Sequence, residues 1–166
     1  MALGTAFTFR MPFGIPGDIS RGVEQSTVEQ QAYNASLPFP SYGVPGKMVS
    51  GLFVPLALVG DTVPYGFLVR PFPTTGLNAS DPLGTAVPQT TGVANVLRRG
   101  YMMVQCNVGT PAFGGTVYMW YAASSGSHVV GGLEATSTPG SNVALTNCSW
   151  FGTTDSNGYA EIQFNI

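Results

Sequence analysis

The stretch VANVLRRGYMMVQCNV, Val93–Val108, is mostly apolar and is interrupted near its middle by Arg98-Arg99-Gly100. Short apolar runs of this kind, rich in valine and flanked by turn residues, are typical of β-strands. The stretch therefore predicts either two strands or one bent strand, with the bend at Arg98-Arg99-Gly100.

Other short segments with strand character lie on both sides of this stretch. The last of them, YAEIQFNI (159–166), alternates as expected for a half-buried strand, and DSNG (155–158) before it has the chemistry of a turn. The 22 glycines and 13 prolines punctuate these segments without any period, and no helix longer than two turns is expected. We predict an all-β fold, either a single β-sandwich or jelly-roll-like domain or a small β-barrel, with an extended N-terminal arm. The remaining candidate strands are PSYGVPGKMVSG, GLFVPLAL, YGFLVR, GTVYMWYAAS, HVVGGLEATS and NVALTNCSWFGT.

Two regions differ from the strand-and-turn pattern. Residues 1–30 are predicted to form the arm, with one short helical turn near residues 23–31, and residues 31–166 the β domain. The arm could lie on a partner, or it could be a terminal strand that closes the domain's own sheet. Residues 73–92, PTTGLNASDPLGTAVPQTTG, form a predicted loop longer than about 15 residues, a length usually associated with function or disorder.

The composition excludes several classes of protein. The 166 residues include six Lys and Arg and eight Asp and Glu, so the net charge is −2 and binding to nucleic acid by charge is not expected. Only 8% of residues are charged, against about 25% in a typical domain, which suits a chain partly covered by neighbours in an assembly. No apolar run approaches a membrane helix of about 20 residues, and no export leader is expected. Cys106 and Cys148 are therefore predicted to be free, buried thiols.

The chain offers little for catalysis or metal binding. His128 is the only histidine, and its surroundings contain no nucleophile elbow. Asp155–Gly158 and Glu161 only partly match a calcium loop, because the glutamate comes too early in the pattern. We expect no enzyme activity and no cofactor.

The aromatic strand VYMWYA leaves alternatives open. It places Tyr118, Trp120 and Ala122 on one face and Val117, Met119 and Tyr121 on the other. One face is expected in the core. The other could be a sugar-stacking platform, a subunit interface or a second buried face.

Arginines are rare here, and three of them end strands beside loops. Arg70, Arg98 and Arg99 could bind carboxylates or carbonyls at an interface, or they could be solvated surface residues. Arg70 is followed by Pro71 and Pro73, which stop strand pairing. We therefore expect Arg70 to hold the following loop or to reach a carboxylate of a partner.

Seven motifs follow one another along the chain, namely FGIPGDISRG, EQSTVEQQ, PFPSYGVPG, GDTVPYGFLVRPFPTTG, VLRRGYMMV, GGTVYMWYA and DSNGYAEIQFNI. Together they resemble the structural cement, or decoration, proteins of tailed bacteriophages. The resemblance covers nearly the whole chain in order. It implies an all-β accessory protein, neither an enzyme nor cofactor-dependent, that binds the outside of the major capsid shell and bridges its subunits. It also implies a homodimer or homotrimer, located on the virion and assembled in the host cytoplasm.

On this interpretation the partners are the major capsid protein and a second copy of the chain, with no nucleic acid and no membrane. An alternative function is a carbohydrate-binding β-sandwich on a virion or cell surface, with Tyr118, Tyr121 or Trp150 as a stacking platform. A hydrolase that uses His128 is the weakest alternative. The predicted partner-binding residues are Ile15, Pro16, Asp18, Arg21, Arg70, Phe72, Arg98 and Arg99.

Overall fold

The computed structural model describes residues 14–71 and 87–166. Within these ranges the chain forms nine β-strands and no α-helix, which confirms the predicted all-β class. One 3-10 turn, Val23–Gln25, precedes the first strand. The strands are β1 (Thr27–Ala32), β2 (Pro45–Val49), β3 (Leu52–Pro55), β4 (Gly66–Leu68), β5 (Val93–Val108), β6 (Thr116–Trp120), β7 (Leu133–Glu134), β8 (Asn142–Trp150) and β9 (Tyr159–Phe164).

Strand β5 is one bent strand of 16 residues, the second of the two predicted possibilities. Its bend lies at Gly100, whose φ is +135°, a backbone conformation that favours glycine. A Cβ at this position would meet Ser26 Oγ and would lie 2.8 Å from Ser26 Cβ, so there is no room for a side chain. The bend directs the two halves of β5 into two different sets of strands.

The second half of β5 belongs to a small barrel. It pairs antiparallel with β9, from Gly100 opposite Phe164 to Gln105 opposite Tyr159. It also pairs parallel with β7, and the pairings continue through β6 and β8 back to β9. Of the architectures left open by the sequence, this closed ring is that of a small barrel. The barrel core includes Met102, Val117, Met119, Leu133, Trp150, Ile162 and Phe164.

The first half of β5 belongs to a second sheet, in the order β3-β2-β4-β5-β1. A single parallel bridge between Tyr33 and Phe53 brings the end of β1 close to β3. This sheet has its own core, formed by Phe39, Tyr42, Val44, Phe53, Leu68, Ala94 and Val96.

Strand β4 is buried on both faces. Phe67 packs in the barrel core and Leu68 in the second core. Double burial explains why GFL is a continuous apolar run instead of an alternating one.

Both cysteines are buried and free, as predicted. Burial raises the pKa of the Cys148 thiol and also that of Cys106. DSNG forms the predicted turn, in which Asp155 Oδ1 accepts hydrogen bonds from the backbone N–H groups of Asn157 (2.8 Å) and Tyr159 (2.9 Å). Among the described residues no helix is long and apolar enough to span a membrane.

Candidate functional site

The described part of the N-terminal region, from Gly14 onward, lies on the domain's own barrel. Gly17 N–H donates to Met103 O (2.8 Å), Met103 N–H donates to Asp18 O (2.9 Å), and Ser20 N–H donates to Tyr101 O (3.2 Å). The segment thus continues the β5 hydrogen-bond pattern on the side of β5 that does not pair with β9. Residues 1–13 lie outside the described residues, and the proposed boundary at residue 30 falls within β1.

Arg70 fixes this N-terminal segment. Its Nε donates to Pro16 O (2.9 Å), its backbone N–H donates to Gly17 O (2.8 Å), and its guanidinium carbon lies 4.6 Å from the centre of the Tyr42 ring. Only 7% of the residue is exposed, so the alternative of a solvated surface arginine is excluded. Burial lowers the pKa of Arg70, although the nearby Asp18 carboxylate opposes this shift.

The predicted residues Ile15, Pro16 and Asp18 form a turn beside Arg70. Asp18 N–H donates to Ile15 O (3.0 Å), and Asp18 Oδ2 accepts from Ile15 N–H (3.3 Å). Four of the predicted contact residues are therefore brought together by the fold. Phe72, which was also predicted as a contact, lies outside the described residues, as does most of the predicted loop 73–92.

Arg21 is held in a fixed position at the surface. Its Nε and Nη2 donate to the two carboxylate oxygens of Glu161 at 3.1 and 2.9 Å. Its guanidinium carbon lies 4.2 Å from the ring centre of Tyr101 and 4.3 Å from that of Phe151. The hydrogen bond to Glu161 raises the pKa of Arg21. A guanidinium that is paired with a carboxylate and packed on two rings has little conformational freedom left to lose on binding.

An exposed phenylalanine extends this cluster. The ring centre of Phe113 lies 4.9 Å from that of Phe151, with the two rings edge to face, and 73% of Phe113 is exposed. We call Arg21, Tyr101, Phe113 and Phe151 the arginine–aromatic surface. An open groove of about 540 Å³ lies beside it and is lined by Ser20, Arg21, Met103, Phe151, Gly152, Thr153 and Glu161.

The other two predicted arginines lie near β1. Arg98 Nε is 3.3 Å from Glu29 Oε2, and its guanidinium carbon lies 3.5 Å from the ring centre of Tyr65. Tyr65 OH donates to Glu29 Oε2 (2.8 Å). Arg99 is exposed, and it has no ion pair within the part of the chain that the structure describes. The ion pair and ring contact of Arg98 involve no residue of the arginine–aromatic surface.

Sequence reasoning missed most of this surface. Phe113 lies between Pro111 and Gly114 in a turn, where a large apolar residue was a usable signal for an exposed contact. Phe151 directly follows β8, and its partner Tyr101 directly follows the bend of β5. Their proximity depends on strand pairing, which the sequence pattern does not reveal.

Two of the residues considered for sugar binding or hydrolysis, Trp150 and His128, make contacts within the fold. Trp150 is 1% exposed in the barrel core, so the prediction that it could form a sugar-stacking platform is wrong. His128 Nδ1 lies 2.7 Å from Oε1 of the fully buried Glu134, and its ring stacks on Trp120. Among the described residues no three His, Cys, Asp or Glu side chains are grouped closely enough to hold a metal ion.

Comparisons with known proteins identify the class. A family model described as structural cement protein (E217 gp24/Pam3 gp6) matches residues 3–165, and the chain therefore belongs to this family. A chain from the solved structure "The capsid of Myoviridae Phage XM1" shares the fold, with a TM-score of 0.70. The two are 18% identical, over 99% of this chain and 98% of the other. A search of curated protein sequences finds no match.

The family is one of structural proteins and not of enzymes. The protein is therefore a structural component of a bacteriophage virion that associates with capsid proteins.

Proposed function

We propose that the protein binds the outer surface of the assembled major capsid shell and bridges neighbouring subunits. Family membership supports this function, and the arginine–aromatic surface is the observation on which the proposed contact rests. Arginine and aromatic residues are enriched among the side chains that contribute most to protein binding. The proposed function needs no catalysis and no cofactor.

The arrangement of Arg21 suits a preformed contact. Glu161 and two aromatic rings already hold its guanidinium, so little side-chain entropy is lost when a partner binds. Phe113 projects beside it and would bury apolar area against the capsid protein. The remaining predicted contacts stay proposals, and among them Ile15, Pro16, Asp18 and Arg70 would support the surface while Phe72, Arg98 and Arg99 would make separate contacts.

Stabilisation of the shell would follow from mass action. A protein that binds the closed shell but not loose subunits shifts the equilibrium toward the shell. We also propose a homodimer or homotrimer, because linked sites that match the lattice spacing gain avidity. Assembly would take place in the host cytoplasm, and the bound protein would face outward on the virion.

The test is binding of Phe113→Ala and Arg21→Ala to capsids assembled without the protein, measured by co-sedimentation. We expect Phe113→Ala to weaken binding tenfold or more, which corresponds to about 1.4 kcal/mol or more. Because Phe113 is 73% exposed, its melting temperature should equal that of the parent.

Leu37→Ala is the matched control, since Leu37 is a large apolar residue that is 52% exposed and lies outside the arginine–aromatic surface. It should bind capsids like the parent. Parent-like binding by both Phe113→Ala and Arg21→Ala would contradict the proposed contact. Absence of binding by the parent itself would contradict the proposed function.

A further inference from the structure

Strand β1 has one unpaired edge among the described residues. It pairs with β5 and with no other strand, and five of its six residues are exposed. Tyr33 N–H donates to Gly92 O (3.1 Å), directly after the β1 ladder. Because antiparallel strands bond through alternate residues, the backbone groups of Val28, Gln30 and Ala32 point away from β5. The bridge from Tyr33 to Phe53 occupies the edge near Ala32, which leaves Val28 and Gln30 open.

This edge lacks the protection that sheet edges usually have. Natural edge strands are blocked by proline, by lysine, by short length or by a covering segment. At the other end of the same sheet, β3 has only four residues and ends in Pro55. Within the part of the chain that the structure describes, the barrel closes on itself through β9 and β5 and leaves no strand at an edge. Strand β1 has neither proline nor lysine, and its only charged residue, Glu29, is engaged by Arg98 and Tyr65.

We propose that β1 pairs antiparallel with β1 of a second copy of this chain, across a two-fold axis at Val28. The open groups of Val28 and Gln30 allow symmetric registers centred on Val28, Glu29 or Gln30. The register centred on Gln30 would place Val28 opposite Ala32, where the bridge from Tyr33 to Phe53 already occupies the edge. A register centred on Glu29 would place two carboxylates opposite each other, which destabilises a strand pair. A register centred on Val28 places valine opposite valine, Thr27 opposite Glu29 and Ser26 opposite Gln30.

Self-complementarity is the reason for choosing a second copy as the partner. In the Val28 register no like charges meet, and the hydroxyl of Thr27 can donate to the carboxylate of Glu29. The same patch is used on both copies, so two chains complete the contact and a third chain cannot join it. The inference deepens the proposed function, since it rests on the proposed homo-oligomer and selects a dimer. It does not require the arginine–aromatic surface, which remains available to the capsid.

The test is the mass of the purified full chain in solution, measured by light scattering after size exclusion over a range of concentrations. We expect the parent to have the mass of two chains. Val28→Lys should have the mass of one chain, with the dissociation constant of the dimer raised at least tenfold, because two ammonium groups would meet at the axis. Val93→Lys is the matched control and should stay a dimer, since Val93 is an exposed valine (58%) on the neighbouring strand β5.

A second pair of variants tests whether the outward backbone N–H of Gln30 bonds to the second copy. Gln30→Pro removes an outward N–H without removing a bond to β5 and should be a monomer, whereas Gln30→Ala keeps that N–H and should be a dimer. Circular dichroism melting of each variant identifies any that fails to fold, and either pair alone decides the question.

Several results would overturn the inference. They are a parent chain that is monomeric or trimeric at about 100 µM, and a Val28→Lys variant that remains a dimer. A monomeric parent whose capsid binding is lost in Val28→Lys would instead assign the edge to a strand of the capsid protein. A dimeric parent that does not bind capsids would contradict the proposed function and leave the dimer in place.

Discussion

At the scale of single residues, Arg70 shows how a rare cation is used inside the fold. A buried guanidinium is costly unless its donors are satisfied, and here it donates to the backbone of the segment that it fixes. The strand-end position of Arg70 predicted that it holds the loop that follows it or reaches a carboxylate of a partner, and most of that loop lies outside the described residues. The structure shows Arg70 holding a different segment, through Pro16, which lies 54 residues earlier in the sequence.

Replacing Arg70 by alanine should therefore destabilise the protein. We expect a loss of about 2–3 kcal/mol, the range for a buried hydrogen bond to a charged group, and faster proteolysis within residues 14–20. Urea unfolding and limited proteolysis measure the two effects. The exposed Arg99→Ala is the control and should stay within about 0.5 kcal/mol of the parent. Equal stability of Arg70→Ala and the parent would show that the segment is held by other contacts.

The candidate surface was only partly predictable at this scale. Arg21 was predicted as a contact because it lies in the N-terminal arm. Phe113 lies in a turn and Phe151 directly follows β8, so no periodic pattern marks either residue. Glu161 was examined only as a member of a calcium-like pattern. Its role as the partner of Arg21 depends on the approach of two segments 140 residues apart, and no local pattern encodes such an approach.

At the scale of elements, the bend of β5 depends on Gly100. Gly100→Ala should cost about 2–3 kcal/mol or more, because alanine is strained at φ +135° and its Cβ would also collide with Ser26. Gly51→Ala is the matched control. Gly51 also has a positive φ (+79°), but its Cβ would meet open space, so only about 1 kcal/mol is expected. Chemical denaturation of the two variants separates the collision from the backbone strain, and equal losses would mean that Ser26 moves aside.

The loop between β3 and β4 depends on one carboxylate. Asp61 Oδ2 accepts hydrogen bonds from the N–H groups of Ala57 and Leu58 (both 3.0 Å), and Oδ1 lies 2.6 Å from Lys47 Nζ. Burial alone would raise the pKa of Asp61, but the bonds from Lys47 and the two N–H groups outweigh burial and lower it. A lowered folded pKa adds stability above the unfolded value of 3.8, and this stability is lost as the pH falls through the folded value.

We therefore expect Asp61→Asn to lose about 1–2 kcal/mol at neutral pH. The difference from the parent should shrink as the pH falls from about 5 to about 2, because both chains are then uncharged at this position. Urea unfolding at several pH values measures this difference. In a Lys47→Met background the loss at neutral pH should be smaller, since one partner is already absent. A difference that does not change with pH would contradict the role of the charge.

The elements themselves were predicted unevenly. Strands β5, β8 and β9 are long or alternating, and the sequence pattern located them. The region near residues 23–31 was expected to contain a helical turn, which the structure confines to Val23–Gln25. Strand β1, which follows, has polar residues on both faces because both faces are exposed, so it lacks the alternation by which strands are recognised.

At the scale of the whole molecule, two closed or nearly closed sheets share one strand. The sequence could not predict this arrangement, because turn spacing does not encode strand order and the ring pairs β5 with β9, about 60 residues later. This arrangement of two sheets leaves two surfaces available on the described part of the protein. The arginine–aromatic surface suits the capsid, and the open edge of β1 suits a second copy.

The sharing of β5 also determines how the molecule can open. Ala94 and Val96 pack in the second core, whereas Met102 and Val104 pack in the barrel core. Neither half can come apart without removing a strand from the other, so partial opening of one half carries nearly the cost of complete unfolding. The buried amide hydrogens that are hydrogen-bonded within either half should then exchange with solvent through the same global event. A shell protein built in this way has no weaker half at which local opening could begin.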